Sequence, residues 1–385
     1  MIDHKLKQWA TARQCEIIDA VNAEGSGRKA AIYLGVDKSY VNRSIKAVQK
    51  RAALAGYSPD YNLTHAVPDG FKLKGASTLY NADGEVTQQW IKSAIDQQRQ
   101  EEIIKEVVAA FISEIVPIKG TRPPEAVIAD LLNCYIITDF HLGMMSWHEE
   151  TGADWDTKIA ETLLYEWFAA AIARSPEAET AIFVQLGDFL HWDGLDAITP
   201  AHHNLLDADT RFQKLVRVAI RSIRRIMAML LEKHKHVHVI MAEGNHDPAG
   251  SIWLREFMKA LYQEEPRVTV DTSADSYYCY EHGKTSLFFH HGHKRKPENI
   301  HDVFAAKYRD IFGRTKFSYA HMGHMHNSQV RETKLMVVEQ HRTLAAPDAY
   351  ASRGGHMSGR EAQVITYHKE YGKVGTVVIS PEMVK

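Results

Sequence analysis

The C-terminal two-thirds of the chain consists of short apolar runs that alternate with longer amphipathic segments. The runs have the length of buried strands, and the amphipathic segments have the helical period. The strand candidates are LLNCYIIT, TAIFVQL, HVHVIMA, KTSLFFH and FSYAHMG, and the helix candidates are DTKIAETLLYEWFAAAIARS, TRFQKLVRVAIRSIRRIMAMLLEKH and SIWLREFMKALYQ. Strands that alternate with helices predict a layered α/β domain, which we place at residues 127–385.

Residues 1–57 have a helical pattern instead. Amphipathic runs cover Gln14–Val21 and Arg28–Leu34, a turn follows at Gly35, and a third run begins at Lys38. This arrangement resembles a helix-turn-helix, an all-α domain whose last helix contacts DNA.

The third run predicts a DNA-binding surface. Val41, Ile45 and Val48 recur at helical spacing, so we expect them to face a core. The residues left outside are Lys38, Tyr40, Asn42, Arg43 and Lys46. Basic side chains of such a helix hold phosphates, while Asn42 or Arg43 could reach base edges in the major groove. The alternative is a plain three-helix bundle with a solvated basic face, which could serve to dock a protein.

Residues 58–126 predict a connecting region. FKLKGASTLYNADGEVTQQWIKS predicts two strands around the turn NADGE. AIDQQRQEEIIKEVVAAFISEIV predicts an amphipathic helix of about six turns, which could be an arm or the contact of a homodimer. Pro117–Ala126 has the proline and glycine content of a linker, and the main domain boundary is placed there.

Composition narrows the class of protein. The apolar fraction of 45% and charged fraction of 24% are typical of a globular chain with a sizeable core. The net charge of -2 argues against a wholesale nucleic-acid binder, so such binding would need a local patch. Three cysteines without a C-x-x-C indicate neither a disulfide framework nor a thiolate zinc site. No apolar signal core or membrane span is evident, and we expect a cytoplasmic protein without membrane contacts.

Histidines point to the chemistry of the α/β region. Of the 22 histidines, only His4 and His65 precede residue 127. Each of the five predicted strands ends in groups that can bind a metal: TDFH (Asp139, His141), LGDFLH (Asp188, His191), EGNHD (Asn245, His246, Asp247), HHGH (His290, His291, His293) and GHMH (His324, His326). The carboxyl ends of sheet strands converge on one crevice. Because burying so many ionisable groups is costly unless a metal satisfies them, the set predicts a metal site.

In this order the strand ends match D-x-H, G-D, G-N-H-D, H-G-H and G-H-x-H, and the chain resembles calcineurin-like metallophosphoesterases over about residues 130–330. The resemblance implies a four-layer α/β/β/α sandwich and two divalent ions, with the rest of the chain completing the second sheet. The implied ligands are Asp139, His141, Asp188 and His326 for the first ion, and Asp188, Asn245, His291 and His324 for the second. The family indicates Mn²⁺, while Fe, Zn²⁺ and Mg²⁺ also suit oxygen and nitrogen ligands.

The resemblance also implies how a phosphoester would be cleaved. The two ions would activate a water for in-line attack on phosphorus and stabilise charge on the phosphoryl oxygens. His246 would face the leaving oxygen as the general acid, and Asp247 would orient its ring.

Two motifs suggest the substrate. GDFLH ends in His191, whereas the commonest family pattern is G-D-x-x-D, and in this the chain resembles SbcD-type DNA exonucleases. The resemblance implies that His191 positions a nucleic-acid strand; pairing with Asp193, or a role in the turn, is the alternative. Lys294, Arg295 and Lys296 follow HHGH and could hold flanking phosphates, or they form a solvated loop.

These features together predict a metal-dependent DNA phosphodiesterase, either an exonuclease or an endonuclease, tethered to its substrate by the N-terminal domain. Such a fusion resembles prophage-encoded proteins, and an ATPase partner stays open. The alternatives are a small-molecule phosphatase or nucleotide phosphodiesterase, and a DNA-binding regulator with a catalytically minor metal domain. Near the C-terminus, EYGKVG predicts a closing hairpin.

Overall fold

A computed structural model describes residues 2–58, 63–64, 67, 71–81, 86–95, 120–200, 204–355 and 357–384. The chain divides into two compact units, Met1–Glu106 and Val107–Lys385. The amphipathic helix predicted before the linker lies outside the described residues from residue 96 onward, and so does most of the turn NADGE. The domain boundaries drawn at residues 57 and 126 stay predictions.

The first unit begins with helices. They are α1 (Ala12–Glu24), α2 (Gly27–Tyr33) and α3 (Lys38–Leu54), preceded by a 3-10 turn at His4–Trp9. Thr11 starts α1 with a capping box, and Gly25 ends it in the left-handed conformation that glycine adopts without strain. Asp37 starts α3 by accepting the backbone N–H of Ser39. Local capping signals in the sequence therefore set the ends of these helices.

The buried face of α3 is the one that its apolar spacing predicts. Val41 and Val48 are buried, and Ile45 is half-buried. Beyond the helices, two short strands, β1 (Tyr57–Ser58) and β2 (Leu63–Thr64), pair antiparallel. The strands β3 (Phe71–Tyr80) and β4 (Val86–Ile95) also pair antiparallel, at the place where the sequence predicts two strands.

The second unit is built from strands and helices in alternation. Its strands are β5 (Ile128–Ile137), β6 (Ala178–Gln185), β7 (His236–Met241), β8 (Val268–Val270), β9 (Tyr278–His282), β10 (Thr285–Phe289), β11 (Phe317–Met322), β12 (Gln329–Glu332), β13 (Val337–Gln340), β14 (Ala362–His368) and β15 (Gly372–Ile379). Its helices are α4 (His148–Thr151), α5 (Thr157–Arg174), α6 (Phe212–Lys233), α7 (Pro248–Leu261), α8 (Ile300–Lys307), α9 (Arg309–Arg314) and α10 (Ala349–Arg353), with a 3-10 turn at Pro381–Met383.

Among the described residues, these strands form two sheets. The first has the order β15-β14-β5-β6-β7-β8, and the second has the order β12-β13-β11-β10-β9. Apolar side chains such as Ile136 and Val184 of the first sheet pack with Leu287 and Phe289 of the second. The outer face of the first sheet packs on α5, α6 and α7, and that of the second on α8 and α9. Two sheets flanked by helices confirm the predicted α/β class. No described helix is long and apolar enough to cross a membrane.

The C-terminal hairpin is placed differently from the prediction. The strands β12 and β13 do extend the second sheet, as expected. However, β14 pairs antiparallel with β5 and so joins the first sheet, with β15 at its edge. The side chains of Val364 and Ile365 on β14 are buried on opposite faces, one towards the helices and one between the sheets. A strand buried on both faces fits inside the first sheet, which explains why the expected placement was wrong for this hairpin.

Candidate metal centre

The loops after β5 and β6 are joined beyond the ends of the strands. The N–H of Asp139 donates to the carbonyl of Gly187, and that of His141 donates to the carbonyl of Asp188, both at 3.0 Å. The N–H of His191 in turn donates to the carbonyl of Leu142 at 3.0 Å. These backbone hydrogen bonds continue the pairing of β5 with β6 beyond the ends of the strands. The side chains of the two loops are therefore held in a fixed register.

Backbone conformation marks the candidate ligands. Among the described residues, five that are not glycine have positive φ: Asp139 (50°), His141 (48°), Asp188 (54°), His324 (71°) and His326 (52°). All five belong to the ligand set predicted from the sequence. The left-handed region costs a residue with a Cβ atom about 1–3 kcal/mol, and such strain tends to occur at functional sites.

Two motif glycines are required because the site fills the space beside them. A Cβ atom at Gly244 would overlap the carboxylate and backbone N of Asp188. A Cβ atom at Gly323 would overlap the hydroxyl of Thr138 and crowd Asp139. The glycines of GNHD and GHMH therefore let neighbouring loops approach the two aspartates.

Asp139 directs one carboxylate oxygen into the centre. Its Oδ2 accepts the hydroxyl of Thr138 at 2.6 Å and the N–H of His324 at 2.8 Å. Its Oδ1 is buried without a hydrogen bond and lies 3.1 Å from Nε2 of His326. The backbone carbonyl of Asp139 accepts the hydroxyl of Thr343 at 2.6 Å. No sequence pattern indicates Thr343, which lies far along the chain, whereas Thr138 could have been found as a hydroxyl residue beside Asp139.

Asp188 is arranged in the same way. Its Oδ1 accepts the N–H of His246 at 2.8 Å, and its Oδ2 lies 3.1 Å from Nε2 of His291. Nδ1 of His291 lies 2.9 Å from the carbonyl of Leu186, and Nε2 lies 3.2 Å from Oδ1 of Asn245. The ring of His291 is therefore anchored by one nitrogen and offers the other to the centre.

Among the described residues, three groups of side chains could each hold an ion. One is His141, His191 and His246, and the other two are the sets that correspond to the predicted ligands. Asp139, His141 and His326 form one set, and Asp188, His291 and His324 form the other, with the ligand atoms of each set within 4.8 Å of one another. Both sets match the division implied by the resemblance, and Asn245 adjoins the second. The structure thus brings together all seven predicted ligands.

Burial and charge fix the protonation of these groups without a metal. Burial alone would raise the pKa of Asp139, but His326 and His291 lower it. Burial also opposes the charge on His291, yet Asp188 and Asp139 raise its pKa to about 10. In the same way the pKa of His326 is raised against burial by Asp139. Burial lowers the pKa of His141 well below its usual value. Two ionised carboxylates thus hold protons on the neighbouring imidazoles.

Asp247 does not orient the ring of His246, and this expectation is wrong. Its carboxylate accepts the backbone N–H groups of Asp188 and Leu190 at 3.0 Å, so it fixes the loop that carries Asp188. Nδ1 of His246 instead lies 2.9 Å from the carbonyl of His191. Asp247 starts α7, and from there its side chain turns back into the neighbouring loop.

His191 lies within the cluster of imidazoles. Its Nδ1 is 3.2 Å from Nδ1 of His141, and its ring stacks on that of His246 with centroids 5.6 Å apart. Asp193 is not its partner, because that carboxylate accepts the N–H groups of Ala249 and Gly250 at the start of α7. Since Nδ1 of His141 faces His191, Nε2 of His141 is the nitrogen left for an ion.

Of the remaining predicted residues, His293 adjoins the second set, and the others belong to neither set. His290 stacks on Tyr277 at 4.6 Å, away from the ligands, whereas the ring of His293 lies 5.3 Å from that of His291. Lys294 pairs with Glu243 at 2.8 Å, and Arg295 and Lys296 are exposed. The residues predicted to contact DNA on α3 are all exposed: Lys38, Tyr40, Asn42, Arg43 and Lys46.

The family model described as calcineurin-like phosphoesterase matches residues 132–379. The chain belongs to this family. Calcineurin-like phosphoesterases are metal-dependent hydrolases that normally bind two divalent ions. The matched range contains both sheets, apart from the first four residues of β5, and every candidate ligand. A comparison with curated protein sequences finds no significant match.

Several solved structures are similar to this phosphoesterase. The phosphoesterase Yfce of E. coli shares 14% identity over 64% of this chain and 98% of its own, with a TM-score of 0.32. An archaeal phosphodiesterase shares 12% identity over 65% of this chain and 99% of its own, with a TM-score of 0.32. A conserved protein of Streptococcus pneumoniae TIGR4 shares 10% identity over 67% of this chain and 92% of its own, with a TM-score of 0.31. Similarities of this size do not bear on the substrate.

The residues present fit two divalent ions. The buried Oδ1 of Asp139 accepts no hydrogen bond, and once the imidazoles give up their protons the sets offer only oxygen and neutral nitrogen donors around a buried negative charge. Such donors suit Mn²⁺, Fe or Zn²⁺, and the donor set alone does not select one of them.

Replacing Gly244 with alanine should disrupt ion binding. The new Cβ atom would displace the Asp188 carboxylate, so we expect Mn²⁺ affinity to fall at least about tenfold. Gly194→Ala is the matched control, because a Cβ atom there meets nothing within 4 Å. Calorimetric Mn²⁺ titration of both folded variants tests this, and equal affinities would contradict the role of Gly244.

Ion binding should also release protons. An imidazole must be neutral to bind a metal, whereas a pKa of about 10 leaves His291 protonated near neutral pH, and the pKa of His326 is also raised. Apparent affinity should therefore rise with pH between the ordinary histidine pKa of about 6.5 and the His291 value of about 10. Titrations of Mn²⁺ in buffers of different ionisation enthalpy measure the release, and binding without net proton release would rule out this charge arrangement.

Proposed function

We propose that this phosphoesterase hydrolyses phosphodiester bonds of DNA and that its N-terminal unit tethers it to DNA as a helix-turn-helix. The proposed ligands are those grouped in the two sets together with Asn245, with Asp188 between the ions, and Mn²⁺ is the proposed metal.

The position of His191 is the observation that carries the proposal. It contacts a candidate ligand, His141, and stacks on the candidate acid, His246. The simpler role of pairing with Asp193 is excluded by the hydrogen bonds of that carboxylate. A histidine at the reacting centre, in the position that resembles the strand-positioning histidine of SbcD-type nucleases, favours a nucleic-acid substrate.

The arrangement supports a direct hydrolysis. Bound ions would supply an activated water and offset charge on the phosphoryl oxygens. The water oxygen bonds to phosphorus while the bond from phosphorus to the leaving oxygen breaks. His246 donates a proton to that leaving oxygen from Nε2, since its Nδ1 faces the carbonyl of His191. Asp247 supports the step by fixing the loop of Asp188 rather than by touching the acid.

The N-terminal unit supplies the proposed tether. The helix α3 presents Arg43 and Lys46 on its exposed face, while Val41 and Val48 secure its buried face. Exposed cations along one helix suit contacts to phosphates, and a tether raises the effective concentration of substrate at the centre.

Removing the acid should separate ion binding from catalysis. His246→Ala should lower the rate of DNA cleavage by about 10²–10⁴-fold while keeping Mn²⁺ affinity, because the ring donates a proton and is not a ligand in the proposal. Asp188→Asn should lose both properties. The assay follows end-labelled DNA and bis-p-nitrophenyl phosphate with Mn²⁺. Hydrolysis of the small diester without any DNA cleavage would favour a nucleotide phosphodiesterase. A fully active His246→Ala protein would refute the assignment of His246 as the general acid.

Reversing a charge on α3 should weaken DNA binding. Arg43→Glu should lower the affinity for duplex DNA. It should also reduce the slope of log affinity against log salt concentration by about 1–2, since one phosphate contact contributes about 0.9 to that slope. Lys5→Glu makes the same charge change at an exposed position outside α3 and should change affinity little. Fluorescence anisotropy over a salt series measures both variants, and equal effects would argue for a general charge response rather than a recognition helix.

A further inference from the structure

The strands β3 and β4 form a two-stranded sheet that no third strand joins in the part of the chain that the structure describes. A sheet of two strands is only marginally stable by itself in water. This one nevertheless leaves large apolar side chains exposed, among them Leu79, Ile91 and Trp90, of which Trp90 is 51% exposed. Exposed apolar patches on soluble proteins commonly mark interaction sites. The sheet therefore has the character of a binding element.

The register of this sheet assigns its side chains to two faces. Alternate residues of a strand point to the same side, and directly paired residues of neighbouring strands share that side. Four pairs share one face because their members on β4 alternate along the strand: Lys72–Ala94, Gly75–Lys92, Ser77–Trp90 and Leu79–Gln88. We call this the Trp90 face.

The Trp90 face is the open side of the sheet. Lys72, Trp90 and Lys92 on this face are exposed, whereas Phe71 and Leu73 on the opposite face are half-buried. The strand β3 also contacts α3, within the same compact unit. The sheet is thus attached to the helices and presents the Trp90 face to solvent.

The charge of the sheet is positive. Its two strands carry three lysines, Lys72, Lys74 and Lys92, and no carboxylate. In the described ranges, none of these lysines forms an ion pair or a side-chain hydrogen bond. Unpaired cations attract a negatively charged partner. A second copy of the face would bring like charges together, and a lipid interior would strip water from Lys72 and Lys92, so both are disfavoured as occupants.

Trp90 distinguishes among polyanions. Its neighbours on the face are small or polar, since Ser77 pairs with it and Gln88 and Lys92 lie two residues away on β4. An exposed indole ring can stack on the flat side of a nucleic-acid base. In a duplex the neighbouring bases cover those flat sides, whereas an unpaired strand offers them. Two residues span about 6.7 Å along a strand, so Lys92 can hold a phosphate beside a base stacked on Trp90.

We propose that the Trp90 face binds unpaired DNA, with a base stacked on Trp90 and phosphates held by Lys72 and Lys92. Because α3 of the same unit is assigned to duplex DNA, the unit has separate surfaces for the two forms and suits DNA in which a duplex meets a single strand. This inference rests on the proposed attachment to DNA and deepens it by naming the form of DNA that is bound.

The test measures binding of the full-length protein with Mn²⁺ to labelled oligothymidylate by fluorescence anisotropy. A phosphorothioate backbone keeps the bases and the charges but resists cleavage. Trp90→Ala should weaken this binding by about five- to 150-fold, as expected from the loss of one stacking contact. Trp90→Phe should retain most of the affinity because an aromatic ring remains. Affinity of Trp90→Ala for duplex DNA should stay the same, which also shows that the unit is folded.

The failures of this inference and of the attachment to DNA are distinguishable. Unchanged affinity of Trp90→Ala for oligothymidylate would overturn the inference and leave duplex attachment and DNA cleavage standing. Binding of neither form of DNA by the wild-type protein would overturn the attachment as well. The matched control is Trp147→Ala, which removes an exposed tryptophan from the second unit and should leave the affinity unchanged. An equal loss in both variants would contradict a specific role of the Trp90 face.

The contribution of the lysines is tested by salt dependence. The double variant Lys72→Gln/Lys92→Gln should reduce the slope of log affinity against log salt concentration by about 1.4, since each phosphate of a single strand contributes about 0.7. Lys259→Gln/Lys334→Gln removes the same charge at exposed positions of the second unit and should leave the slope unchanged. Equal slopes for both double variants would contradict phosphate contacts on the Trp90 face.

Other occupants of the face are tested with the same variant. Analytical ultracentrifugation measures self-association, and flotation with phosphatidylserine vesicles measures membrane binding. We expect Trp90→Ala to match the wild-type protein in both. A dimer or vesicle binding that disappears in Trp90→Ala, while the affinity for oligothymidylate is unchanged, would assign the face to a second copy or to a membrane and overturn the inference.

Discussion

Two carboxylates buried almost completely, Asp139 and Asp188, constrain the rest of the second unit. Each is held by hydrogen bonds on one oxygen and directs the other oxygen towards a histidine of the candidate centre. A buried charge must be compensated, so the neighbouring strands have to deliver imidazoles to the same place. The extended ladder between the loops after β5 and β6 gives this arrangement its rigidity. The fold can thus be understood as a support for two negative charges.

Much of this arrangement follows from the sequence. Strands β5, β6, β7, β10 and β11 are recognisable because each is a short apolar run that ends in polar groups. The strand-end groups could be expected to meet because parallel strands place their carboxyl ends together, and the resemblance to calcineurin-like phosphoesterases selected the ligands among them. The sequence therefore contained both the architecture and the main chemical groups of the centre.

Other features depend on contacts that periodicity does not encode. The hairpin of β14 and β15 is recognisable locally, but the sheet that it joins depends on which edge leaves both faces of β14 buried. The role of Asp247 depends on the direction of its side chain at the start of α7, which spacing cannot provide. Likewise, Thr343 reaches Asp139 from a distant part of the chain.

The left-handed backbone at five ligands also restricts how this centre can change. Aspartate, asparagine and histidine adopt that conformation more readily than most residues, whereas β-branched residues adopt it at a high cost. The backbone conformation therefore limits which residues can replace Asp139 or His326, independently of their ability to bind a metal. Replacing such a ligand with asparagine would remove a metal ligand but preserve the loop, whereas valine or threonine would distort the loop. An inactive descendant that keeps the fold should carry a narrow repertoire of residues at these positions.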